Sequence, residues 1–426
     1  MFLTDMTHEE VSQPTQAARG GSAPRLTGFL LFIMAVATGA IVANLYYAQP
    51  MLEDIKAAFG VGSFSGSLCN TLIQGFYALG LILIVPLGDR LPRRAFISAI
   101  FASSAVALAL AALAPSFATL AIIGCLIGLT AVGGQILLPF AADLAEPGVR
   151  GHVLGRMMTG LLIGVLLSRT VSGYISEFAS WETAYWVAAG VMVFFAALLL
   201  VVLPQEGKRP QVPYGHLVTD SLRLLNTMPE LRRRAWLGAM AFGSFSILWS
   251  TLAFLLTEPK FDYGTGAIGL FGLLGLIGIL AANVAGSLAD HRHRRATTIG
   301  SAVLIIVAFV IAGIGSSTVV VIAIAIVLID MGVQGLQITN QTIIYELAPE
   351  ARSRINSAYM ICYFIGGALG SLIAGVLYSA AGWTGVWILG ACVGVAALIP
   401  ALLWARDVGN GEPSAPPAPP AERVFT

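Results

Sequence analysis

Asp89-Arg90-Leu91-Pro92-Arg93-Arg94 returns 201 positions later as Asp290-His291-Arg292-His293-Arg294-Arg295. Each copy lies between two long apolar segments and follows a short stretch of small and apolar residues, Val85 to Gly88 and Gly286 to Ala289. A charged hairpin set at matching places in two hydrophobic halves is the mark of a duplicated membrane bundle. The register reaches beyond the hairpins. At an offset of 202, Gln135 meets Gln337, Arg150 meets Arg352, Gly164 meets Gly366 and Gly173 meets Gly375.

Composition agrees. The chain has 426 residues, 57% of them hydrophobic and 11% charged, with a mean hydropathy of +0.84. Soluble domains carry about a quarter charged residues, so most of this surface faces something other than water. The four cysteines, Cys69, Cys125, Cys362 and Cys392, fall inside apolar stretches without metal-ligand spacing and read as buried thiols. No cofactor or metal site is expected. There is no Walker A sequence, no HExxH, no paired Cys/His set and no GxSxG elbow, so ATP-driven transport and hydrolysis have no visible chemistry, and the chain is not expected to be an enzyme.

An apolar helix needs about 20 residues to cross a bilayer. Apolar windows between charge clusters place spans near 27–50, 64–87, 95–114, 117–140, 153–176 and 183–203, then near 235–256, 265–288, 296–315, 319–343, 355–378 and 383–404. The expected fold is therefore all-α: twelve transmembrane helices in two pseudo-symmetric six-helix bundles, 27–203 and 235–404, joined by a linker at 204–234. An N-terminal tail, 1–26, and a proline-rich tail, 405–426, complete it. Within the linker, Tyr214 to Leu225 reads either as an amphipathic helix on the membrane surface or as a solvated segment.

Orientation follows from the basic residues. Twenty of the twenty-three Lys and Arg lie in the tails and at the even-numbered loops, and the opposite side holds only Lys56 and Lys260. By the positive-inside rule both termini are cytoplasmic.

Two charges sit well inside the spans, where each costs several kcal/mol and needs a reason. Asp330 lies midway along span ten, and Gln334, Gln337 and Gln341 follow at steps of four, three and four, with Asn340 beside them. That stripe shares one helical face and must meet protein or a water-filled cavity. It reads as a site for substrate or a coupling proton, with a structural hydrogen-bond network as the alternative. Arg169, in span five among Gly160, Gly164 and Gly173, is a permanent positive charge able to bind an anion or offset Asp330. In the first half, Asn44, Tyr47, Asn70 and Gln74 complete the candidate pathway, and the depths of Asn44, Gln74 and Arg169 suit one polar pocket. Tyr46 reads as an interfacial anchor, and Trp249, Tyr359 and Tyr363 read as packing first and as site walls second.

Val85-Pro86-Leu87-Gly88-Asp89-Arg90-Leu91-Pro92-Arg93-Arg94 resembles the loop 2–3 signature of the major facilitator superfamily, G-x-L-x-D-R-x-G-R-R, with Val85 and Pro92 in place of its two glycines. The second copy restores the first glycine as Gly286 and keeps Leu288, Asp290, Arg294 and Arg295. Asn44-Leu45-Tyr46-Tyr47-Ala48-Gln49-Pro50, Asp330-Met331-Gly332-Val333-Gln334 and Ala351-Arg352-Ser353-Arg354-Ile355-Asn356 resemble a bacterial efflux-type branch. The resemblance implies a monomeric carrier of the bacterial inner membrane. It also implies that Asp89, Arg90, Arg93, Arg94, Asp143, Asp290, Arg294, Arg295 and Glu346 act as latches at the cytoplasmic face, with Asp143 a partner for Arg93. Span four lacks the intramembrane arginine of drug–proton antiporters, and Leu203-Pro204-Gln205-Glu206 replaces the sugar-porter signature.

The expected function is secondary transport by alternating access: proton-coupled export of a small polar or amphipathic compound. The alternatives are proton-linked uptake of a small organic anion and, from another class, a non-transporting sensor or scaffold. The expected partners are a small-molecule substrate, protons and the lipid bilayer, with no nucleic acid.

Overall fold

The computed structural model describes residues 26–205, 214–288, 294–347 and 352–408. Asp290, both terminal tails outside those limits and the stretch 206–213 lie outside the described residues. The described chain is helical, without strands. Its helices are α1 Gly28–Ala43, α2 Ala48–Phe59, α3 Ser63–Leu83, α4 Arg93–Ala112, α5 Phe117–Thr130, α6 Gly133–Leu144 and α7 Arg150–Phe178. Then come α8 Trp181–Val202, α9 Tyr214–Thr227, α10 Pro229–Leu256, α11 Thr265–Leu288, α12 Arg294–Ile314, α13 Val319–Leu347 and α14 Arg352–Val408.

Among the described residues ten segments are long and apolar enough to cross a membrane, one of them, 354–404, long enough to cross twice, and Thr265–Ile277 of α11 is a shorter apolar stretch. Spans one and four are each built of two helices, α1 with α2 and α5 with α6, while α14 holds spans eleven and twelve, turning at Gly382 with φ 58°. Such a positive φ is cheap for glycine and costly for other L-residues. Both breaks have a local cause. At Asn44–Tyr46 the backbone donors bond three residues back, and Pro50 in the first turn of α2 cannot donate to Tyr46 and would crowd its carbonyl in a continuous helix. At the second break the Gln135 N–H bonds three residues back to Val132, ahead of Pro139. Helix starts carry the expected caps: Thr27, Ser116 and Ser180 each accept from the backbone N–H three residues on, at 3.2 Å. Of the two readings of the linker the helical one forms, as α9, and Tyr214 donates to the Leu83 carbonyl at 2.6 Å.

Small residues let the helices approach. A Cβ on Gly160 or Gly164 would meet the backbone of Ala35 or Gly39, so α1 and α7 touch along their main chains. Gly366 and Gly370 do the same in α14 against Ala239 and Gly243 of α10. The repeat is visible in the contacts themselves. Gly173 of α7 lies against Thr265 and Gly269 of α11, and Gly375 of α14 lies against Phe64 and Ser67 of α3. Gly173 and Gly375 differ by 202 positions, and so do Ser67 and Gly269. The offset read from the sequence therefore relates both sides of two equivalent helix contacts.

The cysteines depart from expectation. All four are free, but only Cys69 is buried; Cys125 and Cys362 are partly exposed and Cys392 is exposed. In a membrane bundle an apolar stretch has a face toward lipid as well as a face toward protein, so hydropathy alone does not place a thiol in the core.

Candidate functional site

Contacts between the first six spans and the last six gather in the half of the bundle away from the chain termini. On one flank, Asn70 donates to Ser371 at 3.1 Å, the Ser371 hydroxyl donates to the Ser67 carbonyl at 3.2 Å, and Tyr77 meets Phe364 with ring centroids 4.3 Å apart. On the other, Thr170 donates to the Gly269 carbonyl at 3.0 Å. At the far end two carboxylates of the first half hold the start of α11. Thr265 donates to Asp54 at 2.8 Å, and the Gly266 N–H donates to Glu177 at 2.5 Å. Ser176 also donates to Asp54, at 2.5 Å.

Arg169 stands on this contact plane, and its residue is 2% exposed. Its Nε donates to Gln49 Oε1 at 2.7 Å. Its guanidinium lies 4.1 Å from the Trp249 ring centroid, 4.9 Å from that of Tyr46 and 5.2 Å from that of Phe245. The break after α1 makes this possible, because it re-aims Tyr46 and Gln49 toward α7. Three aromatic faces and one amide replace part of the lost hydration; a desolvated cation–π contact contributes about 2 kcal/mol. Arg169 Nη2, Gln49 Nε2 and Trp249 Nε1 are buried without a hydrogen-bond partner.

Asp330 of α13, 5% exposed, approaches the same place from the second half. Arg169, Trp249 and Tyr363 are its electrostatic neighbours. The Trp249 indole faces its carboxylate and Arg169 makes no ion pair with it, so the two intramembrane charges share a site without a direct ion pair among the described residues. Both lie against a glycine stripe in α11. A Cβ on Gly269 or Gly272 would meet Arg169, and one on Gly275 would stand 2.7 Å from Asp330 Oδ2. Steps of three keep these glycines near one helical face, opening a trough for the arginine stem and the carboxylate.

The rest of the predicted pathway is divided. Gln74 joins the contact plane, accepting from Ser246 at 3.0 Å, and Asn70 joins it through Ser371. Asn44 does not: its amide donates to Ser104 of α4 at 3.0 Å, within the first half. Tyr47 presents its carbonyl to Ser172 at 3.0 Å. Along α13, Asn340 is buried with both amide atoms unpartnered, and Gln341 donates to Asn356 at 3.5 Å. Gln334 and Gln337 are half-buried on the same helix. Tyr46, expected as an interfacial anchor, is instead buried beside Arg169. Tyr363 stacks on Phe242 at 4.3 Å, and Tyr359 packs over Gly238.

At the termini end, Arg93 is 4% exposed and pairs with Asp143 at 2.6 Å and Asp89 at 3.5 Å, over the Phe140 ring. Arg294 bonds both oxygens of Glu346 at 2.7 Å. Each of these pairs lies within one half of the chain. Arg94 donates to the Leu200 carbonyl at 2.5 Å, Arg90 is half-buried and Arg295 is exposed.

A groove of about 620 Å³ lies elsewhere, between α1 and α7. Its walls include Phe32, Val36, Ile163 and Leu167, all exposed and apolar, which is a surface for lipid chains rather than for polar chemistry. The site at Arg169 is a space of about 10 Å³ bounded by Gln49, Pro50, Trp249, Leu252, Ala253 and Ile268. Sequence reading missed Gln49 as the arginine's partner, and missed the trough. The signal for the trough was present as Gly269-x-x-Gly272-x-x-Gly275.

The model of the Major Facilitator Superfamily matches residues 29–371 and 342–425. An uncharacterized transporter, YgaY of Escherichia coli O157:H7, is 41% identical over 387 residues, covering 91% of this chain and 98% of the relative. A probable transporter, SCO4007 of Streptomyces coelicolor, is 30% identical, covering 88% of this chain and 86% of its own. Among solved structures, a bacterial homologue of the human lysosomal transporter Spinster, inward-facing and unoccupied, superposes with a TM-score of 0.73 at 14% identity, over 91% of this chain and 98% of that one. The nucleoside transporter NupG superposes with a TM-score of 0.70 at 13% identity, over 88% and 98%.

Proposed function

The chain belongs to the Major Facilitator Superfamily, and on that premise we propose that it is a proton-coupled carrier of the bacterial inner membrane, working by alternating access around Arg169 and Asp330. It is a multi-pass membrane transporter and not an enzyme. The halves 27–203 and 235–404 are the units that rock, with the linker 204–234 between them. With both termini in the cytoplasm, the far end, held by Asp54 and Glu177, faces outward.

One observation carries the reading: two intramembrane charges from opposite halves, Arg169 and Asp330, meet on the contact plane without neutralising one another directly. A buried charge without a bonded counter-ion is expensive, so such an arrangement belongs to a site that takes up charge from outside. Asp330 is the group there that can bind and release a proton. Arg169 keeps its charge, which repels cations and favours anions. The geometry therefore supports proton-linked movement of a small organic anion over proton-driven export of a polar or amphipathic compound.

Protein reconstituted into vesicles with an inward proton gradient tests this. Solute accumulation should follow the gradient and be lost in Asp330→Asn, while counterflow exchange persists. Solute flux indifferent to pH would overturn proton coupling, and the absence of any flux would overturn the carrier itself.

A further inference from the structure

The unpartnered groups around Arg169 are all donors. Gln49 has its orientation set by the arginine: Nε can only donate, so Oε1 faces it and Nε2 is turned away, still a donor. Arg169 Nη2 and Trp249 Nε1 are donors as well. Trp249 faces the Asp330 carboxylate, the acceptor on that side, which leaves Arg169 Nη2 and Gln49 Nε2 as two buried donors for a ligand that brings acceptors. A neutral amide brings one acceptor oxygen for two donors and leaves one of them unpaired, at a cost of about 1–3 kcal/mol, and a protonated amine meets the fixed positive charge of Arg169.

The remaining walls narrow the ligand further. Pro50, Leu252, Ala253 and Ile268 are apolar, and the rings of Tyr46, Phe245 and Trp249 surround the guanidinium. Among the described residues Arg169 is the cation of the site. One guanidinium with one amide matches a single carboxylate, whereas a phosphate dianion would remain underneutralised. Present space at the site, about 10 Å³, is the room of one water. A carboxylate therefore enters only as the halves part around it.

Resting on the carrier reading above, we infer that this seat binds the carboxylate of a monocarboxylate with an apolar body, held by Arg169 Nη2 and Gln49 Nε2, and that its binding obliges Asp330 to take up one proton. The second part is electrostatic. In the closed site Arg169 and Asp330 lie along the same glycine trough of α11, one positive and one negative charge. A ligand carboxylate on the guanidinium claims that charge and adds a negative one nearby, so the combined site reaches neutrality by protonating Asp330. The other titratable groups facing the pair are Tyr46 and Tyr363, both buried phenols. Anion and proton then bind together and cross together as a neutral load.

The test uses full-length protein in detergent, with acetate, pyruvate, succinate and benzoate set against benzamide and benzylamine. Pyruvate or benzoate should raise the melting temperature more than succinate does, and benzamide and benzylamine should leave it unchanged. Gln49→Leu should weaken binding at least about tenfold, as expected for loss of a hydrogen bond to a charged group. In weakly buffered solution with a pH indicator, each bound carboxylate should draw about one proton from solvent. Asp330→Asn should bind the carboxylate and draw none. Silence from all four carboxylates, or an equal response to benzamide, overturns the ligand class. Binding without proton uptake overturns the coupling. Proton-coupled flux of an amine in vesicles would overturn this inference while leaving the carrier intact, and no flux of any solute would instead remove the reading beneath it.

Discussion

Asp54 and Glu177 close the far end of the bundle, and removing them should open it. Among the described residues two of their hydrogen bonds cross between the halves: Thr265 to Asp54 at 2.8 Å and the Gly266 N–H to Glu177 at 2.5 Å. Both end at the first turn of α11, where free backbone donors and the helix dipole favour a negative charge. A hydrogen bond to a charged group contributes about 1.5–3 kcal/mol when sheltered. Asp54 is half-buried and merits about 1.5 kcal/mol, while exposed Glu177 is screened by water to about 0.5 kcal/mol. The sum, about 2 kcal/mol, corresponds to roughly a thirtyfold shift in the equilibrium between closed and open far ends. A far-end-open state populated at about 1% would rise to about a quarter. Spin labels at Ala57 and Pro259, read by pulsed electron paramagnetic resonance, should show a longer distance gaining weight in Asp54→Ala/Glu177→Ala. Asp54→Asn, which keeps an acceptor, should shift it less. An unchanged distance distribution in a double variant that melts like the parent would refute the reasoning.

Other outcomes follow from the packing and the charges. Gly164→Leu should lower stability by at least about 1–3 kcal/mol, because its side chain has only the Gly39 backbone to displace. Gly190→Ala, with open space around it, should be neutral or stabilising, and thermal melts compare the two. Trp249→Ala should cost about 2 kcal/mol through Arg169, and Trp249→Phe, which keeps a ring, should recover part of it in the same assay. Arg93→Gln should destabilise the termini end of the first half. The exchange Arg93→Asp with Asp143→Arg should recover less than the native order, because only the native arginine rests on Phe140. Limited proteolysis near residue 90 would report the difference.

Much of this was legible along the chain, for definable reasons. Hydropathy registers every crossing, since each apolar stretch must cover the same bilayer thickness. Duplication registers as an offset, and the contacts of Gly173 and Gly375 keep that offset in three dimensions. The candidate charges were found because charge inside an apolar span is costly and stands out. Partners were harder. Asn44, Gln49 and Tyr46 lie within six residues of one another, yet their directions depend on a break in the helix at Asn44–Tyr47. A continuous helix would have turned Asn44 and Tyr46 differently, and periodicity has no access to that turn.

The amino-acid sequence by itself determined the class of molecule, the number and order of its crossings, its internal symmetry and the two charges that break that symmetry. Tertiary structure alone decided what those charges meet. Arg169 and Asp330 are 161 positions apart, and only the approach of α7 and α13 along the glycine trough of α11 makes them neighbours. Where Arg169 lies against Gly272, the counterparts 202 positions away, Ser371 and Asn70, form a neutral pair. Local sequence dictates burial and helix, because bilayer and backbone act residue by residue. Which buried groups remain unpartnered depends on every helix packed around them, and those unpartnered donors are what point to a ligand.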